Sequence, residues 1–137
     1  MMKRRYSTGI TMIELMVVTV IIAILAGIGY PMYRQYAVRS NRTEAKTELL
    51  QLTQALEKCY TRFHVYDHDD CEVDADYVTA SGNYEISSDI DPQAYTLEAT
   101  PKGGQLEDDK CGVLSITNAG VKKERDGENL VAANKCW

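Results

Sequence analysis

The sequence predicts an α+β fold: one long N-terminal α-helix, its first half membrane-embedded and its second half packed on an antiparallel sheet of three or four strands. Three observations predict it. From Ile10 to Gly29 every residue is apolar, small or hydroxyl-bearing except Glu14. From Ala45 to Phe63 an apolar stripe recurs at spacings of three and four. Beyond residue 82 come short runs rich in Tyr, Thr, Val and Ile, divided by turn residues.

Twenty helical residues span roughly 30 Å, the thickness of a bilayer's hydrocarbon core. Lys3, Arg4 and Arg5 precede the run and should stay on the cytoplasmic side. A carboxylate inside such a run costs a few kcal/mol to insert, which makes Glu14 a functional candidate. A secretory signal has a similar layout, and Ala23, Ala26 and Gly27 mimic its small-residue cleavage site. The run is long for a signal core of about 7–15 residues. Cleavage before the run, between Gly9 and Ile10, would instead leave the helix on the mature chain.

Preceded by Lys3-Arg4-Arg5, the stretch Gly9-Ile10-Thr11-Met12-Ile13-Glu14-Leu15 resembles the class III prepilin signature of type IV pilins. The family usually has Phe in place of Ile10 and Leu in place of Met12, both apolar for apolar. The resemblance implies that a prepilin peptidase removes residues 1–9 and that Ile10 becomes an N-methylated terminus. It implies that Glu14, the fifth mature residue, serves assembly. Cleavage creates an ammonium at Ile10, four residues from Glu14 on one helical face. The two could pair within one chain, or Glu14 could meet the ammonium of a neighbour in a filament. A buried charge without a partner is strongly unfavourable, so such pairing would set the register of apolar helices. The plain alternative is an acid that reaches headgroups or water.

Gly27, Gly29 and Pro31 mark the exit from the run. Pro31 cannot donate to the carbonyl of Gly27, and the glycines weaken the helix further. In pilins the matching proline lies at a kink; a simple helix end at the interface is the other reading. Tyr30, Tyr33 and Tyr36, beside Arg34 and Arg39, look like an interfacial aromatic belt with basic anchors. No Pro or Gly interrupts residues 32–63, so the helix is expected to continue, with Ala45, Leu49, Leu52, Leu56, Cys59 (or Tyr60) and Phe63 on one face. Arg42-Thr43-Glu44-Ala45-Lys46 resembles PilE-like pilins where they pass from anchor to head.

Residues 64–82 read as a polar connection, with acids concentrated between Asp67 and Asp76. An EF-hand pattern fails there because Glu72 occupies the position that needs Gly. His64 and His68 are four apart but lack further ligands at fixed spacing, so no metal is expected. Strands are expected at 83–87, 94–100 and 111–117, with turns at Asp91-Pro92, Pro101-Lys102-Gly103-Gly104 and Asn118-Ala119-Gly120. Val121-Lys122-Lys123 would start a fourth, short edge strand. The four cysteines allow three pairings. Cys59–Cys71 and Cys111–Cys136 are favoured because they close short local loops; a C-terminal disulfide loop also resembles pilins.

The chain has 137 residues and a net charge of −5; without residues 1–9 and their three cations it would be about −8. An acidic balance argues against a nucleic-acid-binding surface, and no direct nucleic-acid site is expected. Paired cysteines fit an oxidising compartment. No phosphate loop, nucleophile elbow or other catalytic pattern occurs, and no cofactor is expected. The expected organisation is a leader at 1–9, a membrane or filament-core helix at 10–30, and a periplasmic or extracellular head at 31–137. The resemblance implies a pilus subunit, leaning to a minor one, held in inner-membrane lipid before assembly and at the cell surface afterwards. Its implied partners are other pilins, the prepilin peptidase, an assembly ATPase, an inner-membrane platform protein and a secretin, with roles in adhesion, twitching motility and DNA uptake. A type II secretion pseudopilin is one rival, and a membrane-anchored periplasmic binding module or enzyme is another.

Overall fold

The computed structural model describes residues 9–71, 73, 76–108, 110–126, 129–132 and 136–137. Lys3, Arg4, Arg5, Glu72, Asp74, Ala75, Asn134 and Lys135 lie outside the described residues. The chain divides into two units, Met1–Tyr36 and Ala37–Trp137. A single helix, α1 (Met12–Phe63), runs through Pro31 and belongs to both.

In the first unit every described residue is exposed. Here α1 is long and apolar enough to cross a membrane, and none of that stretch is buried in the chain's own fold. An apolar surface of this extent marks contact with lipid or with other protein.

The second unit builds its core on the apolar stripe of α1. Ala45, Leu49, Leu52, Leu56 and Cys59 are its buried helical residues. The first four cluster with Tyr66, Tyr84, Ile86, Tyr95, Leu97, Ala99, Leu114 and Ile116. Helix α1 ends where His64 takes a left-handed backbone, φ 61°, while its N–H still donates to Tyr60 O at 2.8 Å. That conformation stops a helix but is disfavoured for a residue with a Cβ. Gln93 Nε2 donates to His64 O and holds the turn. His64→Gly should therefore stabilise the head by about 1 kcal/mol, read as a higher thermal midpoint.

The sheet is a six-stranded antiparallel meander in sequence order: β1 (Tyr77–Val78), β2 (Tyr84–Asp91), β3 (Ala94–Pro101), β4 (Leu114–Thr117), β5 (Lys122–Asp126) and β6 (Asn129–Ala132). Alternation is clear where the sheet faces the helix. Tyr84 and Ile86 on β2, and Tyr95, Leu97 and Ala99 on β3, point into the core. Between β4 and β5, Gly120 adopts φ 71° and closes the turn with a bond to Thr117 O, a geometry suited to glycine.

The sheet exceeds the three or four strands expected. β1 lies in the stretch read as a polar connection, and its two residues pair only with Glu85 and Ile86. β2 runs on through Ser88-Asp89-Ile90-Asp91 because its register with β3 carries pairing to Asp91↔Ala94, beside a two-residue turn. β4 begins at Leu114, three residues later than expected, after Cys111 is engaged in a disulfide. β5 is not an edge: β6 pairs outside it, with Lys123 opposite Ala132.

Candidate functional site

At the start of α1, Thr11 and Glu14 form a reciprocal cap. The Thr11 N–H and hydroxyl each donate to Glu14 Oε2 at 3.2 Å, and the Glu14 N–H donates to Thr11 Oγ1 at 3.3 Å. This is the capping-box arrangement, which satisfies amides that a helix start leaves without partners. A carboxylate here also faces the positive end of the helix dipole. Gly9 and Ile10 lie just before this cap in non-helical backbone. The Thr-x-x-Glu spacing is visible in the sequence, but attention to the charge alone passes over it.

In the second unit the polar residues of α1 tie the head to the helix. Arg42 makes a two-pronged contact with Asp108: Nε to Oδ2 and Nη2 to Oδ1, both at 2.9 Å. The Asp108 side chain is 3 % exposed. Gln105 is fully buried in the short 3-10 helix Gly103–Glu107. Its Nε2 donates to Val38 O at 3.3 Å and to Asp108 Oδ2 at 3.0 Å, and its Oε1 accepts from Asn41 Nδ2 at 3.2 Å. Further along α1, Glu44 accepts from the Ser81 N–H, Glu48 from the Tyr77 hydroxyl, and Glu57 from the hydroxyls of Tyr66 and Tyr95. These acids lie off the apolar stripe of α1 and hold the segment after the helix together with β1 and β3. The segment 42–46 thus supplies an ion pair, a buried alanine and an anchor to Ser81.

Disulfides join Cys59 to Cys71 and Cys111 to Cys136. The second secures a C-terminal corner. There the Cys136 N–H donates to Glu124 Oε2 at 2.8 Å, and Trp137 Nε1 donates to Lys123 O at 2.8 Å. The Lys122 ammonium lies 5.0 Å from the centre of the Trp137 ring, a cation–π contact. The Lys46 ammonium is held below the ordinary lysine value, by burial first and then by Arg42 and Lys122, with Glu124 opposing. His64 and His68 take other duties: His68 stacks on Phe63 at 3.8 Å and accepts from the Asp70 N–H, while His64 packs edge-on to Tyr60.

Comparison with known proteins decides the family. The family described as "Type IV minor pilin ComP, DNA uptake sequence receptor" matches residues 31–115, and the prokaryotic N-terminal methylation motif matches residues 4–30. The chain belongs to the ComP family of type IV minor pilins. A type IV major fimbrial protein FimA of Dichelobacter nodosus is 45% identical over 51 residues, 37% of this chain and 33% of that protein. A fimbrial protein of Pseudomonas aeruginosa is 47% identical over 49 residues, 36% of this chain and 32% of that protein. The chain thus spans about a third of the length of these curated relatives. A solved type IV pilin from Shewanella oneidensis aligns with a TM-score of 0.54 and 28% identity, covering 73% of this chain and 97% of that one.

Family and fold are those of structural pilins and not of enzymes. The N-terminal methylation motif is the one by which prepilins are described, and the stretch it matches is the part of α1 long and apolar enough to cross a membrane.

Two tyrosines inside the pilin head give it an alkaline limit. Burial pushes the Tyr84 hydroxyl up to about 12, with Gln105 opposing; among the described residues that hydroxyl meets no hydrogen-bond partner. Burial, with Thr53 opposing and Glu57 adding to it, also pushes Tyr95 up to about 12. Unfolded, both ionise near their ordinary 10.0. Below that pH both states hold these protons, and stability is unaffected. Above it the unfolded chain releases them first, so stability should fall as pH rises from about 10 towards 12. Thermal melts across that range, with tyrosinate absorbance alongside, will show it. Tyr84→Phe should flatten the decline and leave neutral-pH stability equal or higher, because it deletes an unsatisfied polar atom.

Proposed function

We propose that this chain is a minor subunit of a type IV pilus that enters the filament through its N-terminal helix. In this reading residues 1–9 are the leader, residues 10–30 the membrane and filament-core helix, and residues 31–137 the head. A prepilin peptidase cuts between Gly9 and Ile10 on the cytoplasmic face, and Ile10 is then N-methylated. The head faces the periplasm while the helix waits in inner-membrane lipid; an inner-membrane platform protein receives it, and the head reaches the cell surface in the pilus. Glu14 pairs with the Ile10 ammonium of a neighbouring subunit. Pro31 sits at the weak point of the helix. The observation that carries this reading is the wholly exposed apolar first stretch of α1, residues 12–30, bearing a single acid and lying within the match to the N-terminal methylation motif at residues 4–30. Mass spectrometry of the protein from its native membrane tests it. An N-terminus at methylated Ile10 is expected; an intact Met1, or a start beyond residue 27, refutes the processing.

A second reading concerns DNA, since the matched family is described as a DNA uptake sequence receptor. The acidic composition leaves few places for a phosphate backbone. The corner formed by Lys122, Lys123 and Trp137 offers two exposed cations beside an aromatic ring, and we assign DNA contact to it. Fluorescence anisotropy with a duplex should show binding that weakens with salt and is lost in Lys122→Glu/Lys123→Glu. Equal binding by that variant moves the contact elsewhere.

A further inference from the structure

The two disulfides of the head sit in different surroundings. Cys111 and Cys136 are 2% and 1% exposed and belong to the core cluster. Cys59 is 7% exposed, but its partner Cys71 is only partly covered. An open cleft of about 250 Å³ lies over the Cys59–Cys71 bridge, lined by both cysteines together with Lys58, Arg62, Phe63 and Asp70. Two cations face one acid there, and all three are exposed. The attacking species in thiol–disulfide exchange is a thiolate, which such a site attracts and a closed core shuts out.

The stretch that Cys71 pins is fixed on both sides without it. Before it, the Tyr66 N–H donates to Pro92 O and the Tyr66 hydroxyl to Glu57 Oε1, both at 3.1 Å. After it, the Ser88 N–H donates to Asp76 Oδ1 at 2.9 Å, next to β1. Between these ties lie the bridge, the His68 ring stacked on Phe63, and Val73 packed against the core. Opening Cys59–Cys71 therefore loosens residues 67–71 from α1 while the sheet stays joined to the helix. Opening Cys111–Cys136 instead breaks into the core.

We propose that Cys59–Cys71 is a site of thiol–disulfide exchange with a dithiol protein, and that its opened form is a second folded state of the head. One thiolate of the partner bonds to Cys71 Sγ, the more accessible sulfur. The Cys59–Cys71 bond breaks, and Cys59 Sγ leaves with the electron pair and takes a proton. The partner's second thiol, deprotonated, then attacks its own sulfur in the mixed disulfide, and Cys71 leaves and is protonated. Two electrons have passed: the bridge is now two thiols and the partner's pair a disulfide. Lys58 and Arg62 draw the incoming thiolate.

The full chain in detergent micelles, treated with dithiothreitol as the dithiol and quenched with a maleimide, tests this by peptide mass spectrometry. Cys59 and Cys71 should be labelled on the order of tenfold faster than Cys111 and Cys136, or more. When only Cys59 and Cys71 are labelled, the head should keep a cooperative thermal transition. Equal rates for the two bridges, earlier labelling of Cys111 and Cys136, or loss of that transition would each overturn the proposal. Lys58→Gln/Arg62→Gln should slow labelling of Cys59 and Cys71 by about threefold, the scale of an exposed charge interaction. A difference in exposure alone would leave that rate unchanged, and an unchanged rate counts against the site. Glutathione, a monothiol, should be trapped on Cys71 with the maleimide on Cys59; the reverse pattern refutes the assigned point of attack.

Discussion

Replacing Glu14 with Gln is expected to remove the pilin from pili while leaving its head folded and its helix capped. Thr11 and Glu14 bond reciprocally, so Glu14→Ala removes two things at once: a cap and a charge. The cap is worth about 1 kcal/mol, less than tenfold in any equilibrium. A buried charge deprived of its partner costs about 3–5 kcal/mol, on the order of a hundredfold or more. Gln separates the two effects, because a Gln at this position still completes a capping box but cannot pair with an ammonium. Thr11→Val makes the reverse separation, keeping the charge and losing the hydroxyl. Glu14→Gln and Glu14→Ala should therefore both fall by at least a hundredfold in sheared pili, with Thr11→Val close to wild type. Head stability, followed by thermal melting of detergent-solubilised subunit, should be the same in all three. Wild-type incorporation of Glu14→Gln would sink the charge-pairing mechanism and leave the cap as the function of this residue.

What could be read from the sequence divides along the range of the interactions. The continuous helix was legible because its signals are local: an apolar run, a stripe at helical spacing, and no Pro or Gly from Met32 to Phe63. β2 and β3 were legible through Tyr, Ile and Leu alternation, which one buried face imposes, and β4 through the alternation of Leu114 and Ile116 with Ser115 and Thr117, although Ser115 is buried too. β1 was not, because two residues carry no periodicity; Tyr77 is placed by Ile86 across the ladder and by Glu48 on the helix. β6 was missed because Asn129-Leu130-Val131-Ala132 sets its apolar residues side by side and shows no alternation.

The polar framework of the head was the least legible part. Arg42 and Asp108 are 66 residues apart, and nothing local to either one names the other. The same holds for Glu48 with Tyr77 and for Glu57 with Tyr95. On a helix wheel such acids fall beside the apolar stripe, where a solvated residue and an anchor look alike. The Thr11–Glu14 cap is different: its spacing is local and readable. It was hidden because a membrane helix directs attention to the cost of the charge and away from the amides it satisfies.

Removal of the Cys111–Cys136 disulfide, as Cys111→Ser/Cys136→Ser, is expected to leave the head largely unfolded at 37 °C. The bridge spans 25 residues, and on the chain-entropy model constraint of that loop contributes roughly 3.5 kcal/mol. The Cys59–Cys71 bridge spans 12, for roughly 3 kcal/mol on the same basis. Loop length alone barely separates them; burial does. Cys111 and Cys136 are both buried in the core cluster, whereas Cys71 is only partly covered. Serine at the first pair places two hydroxyls where sulfur packs, adding a cost of about 1–3 kcal/mol for each one left without a partner. The bridge also brings the Cys136 N–H to the buried Glu124 carboxylate and Trp137 to Lys123 O, and its loss weakens both contacts. A small domain commonly has only about 5–15 kcal/mol in total. The double serine variant at 111 and 136 should therefore lose its cooperative thermal transition above about 37 °C, while that at 59 and 71 keeps one at a lower midpoint. Equal midpoints for the two variants would show that chain entropy alone sets the contribution of each bridge, and that the C-terminal corner adds nothing to the fold.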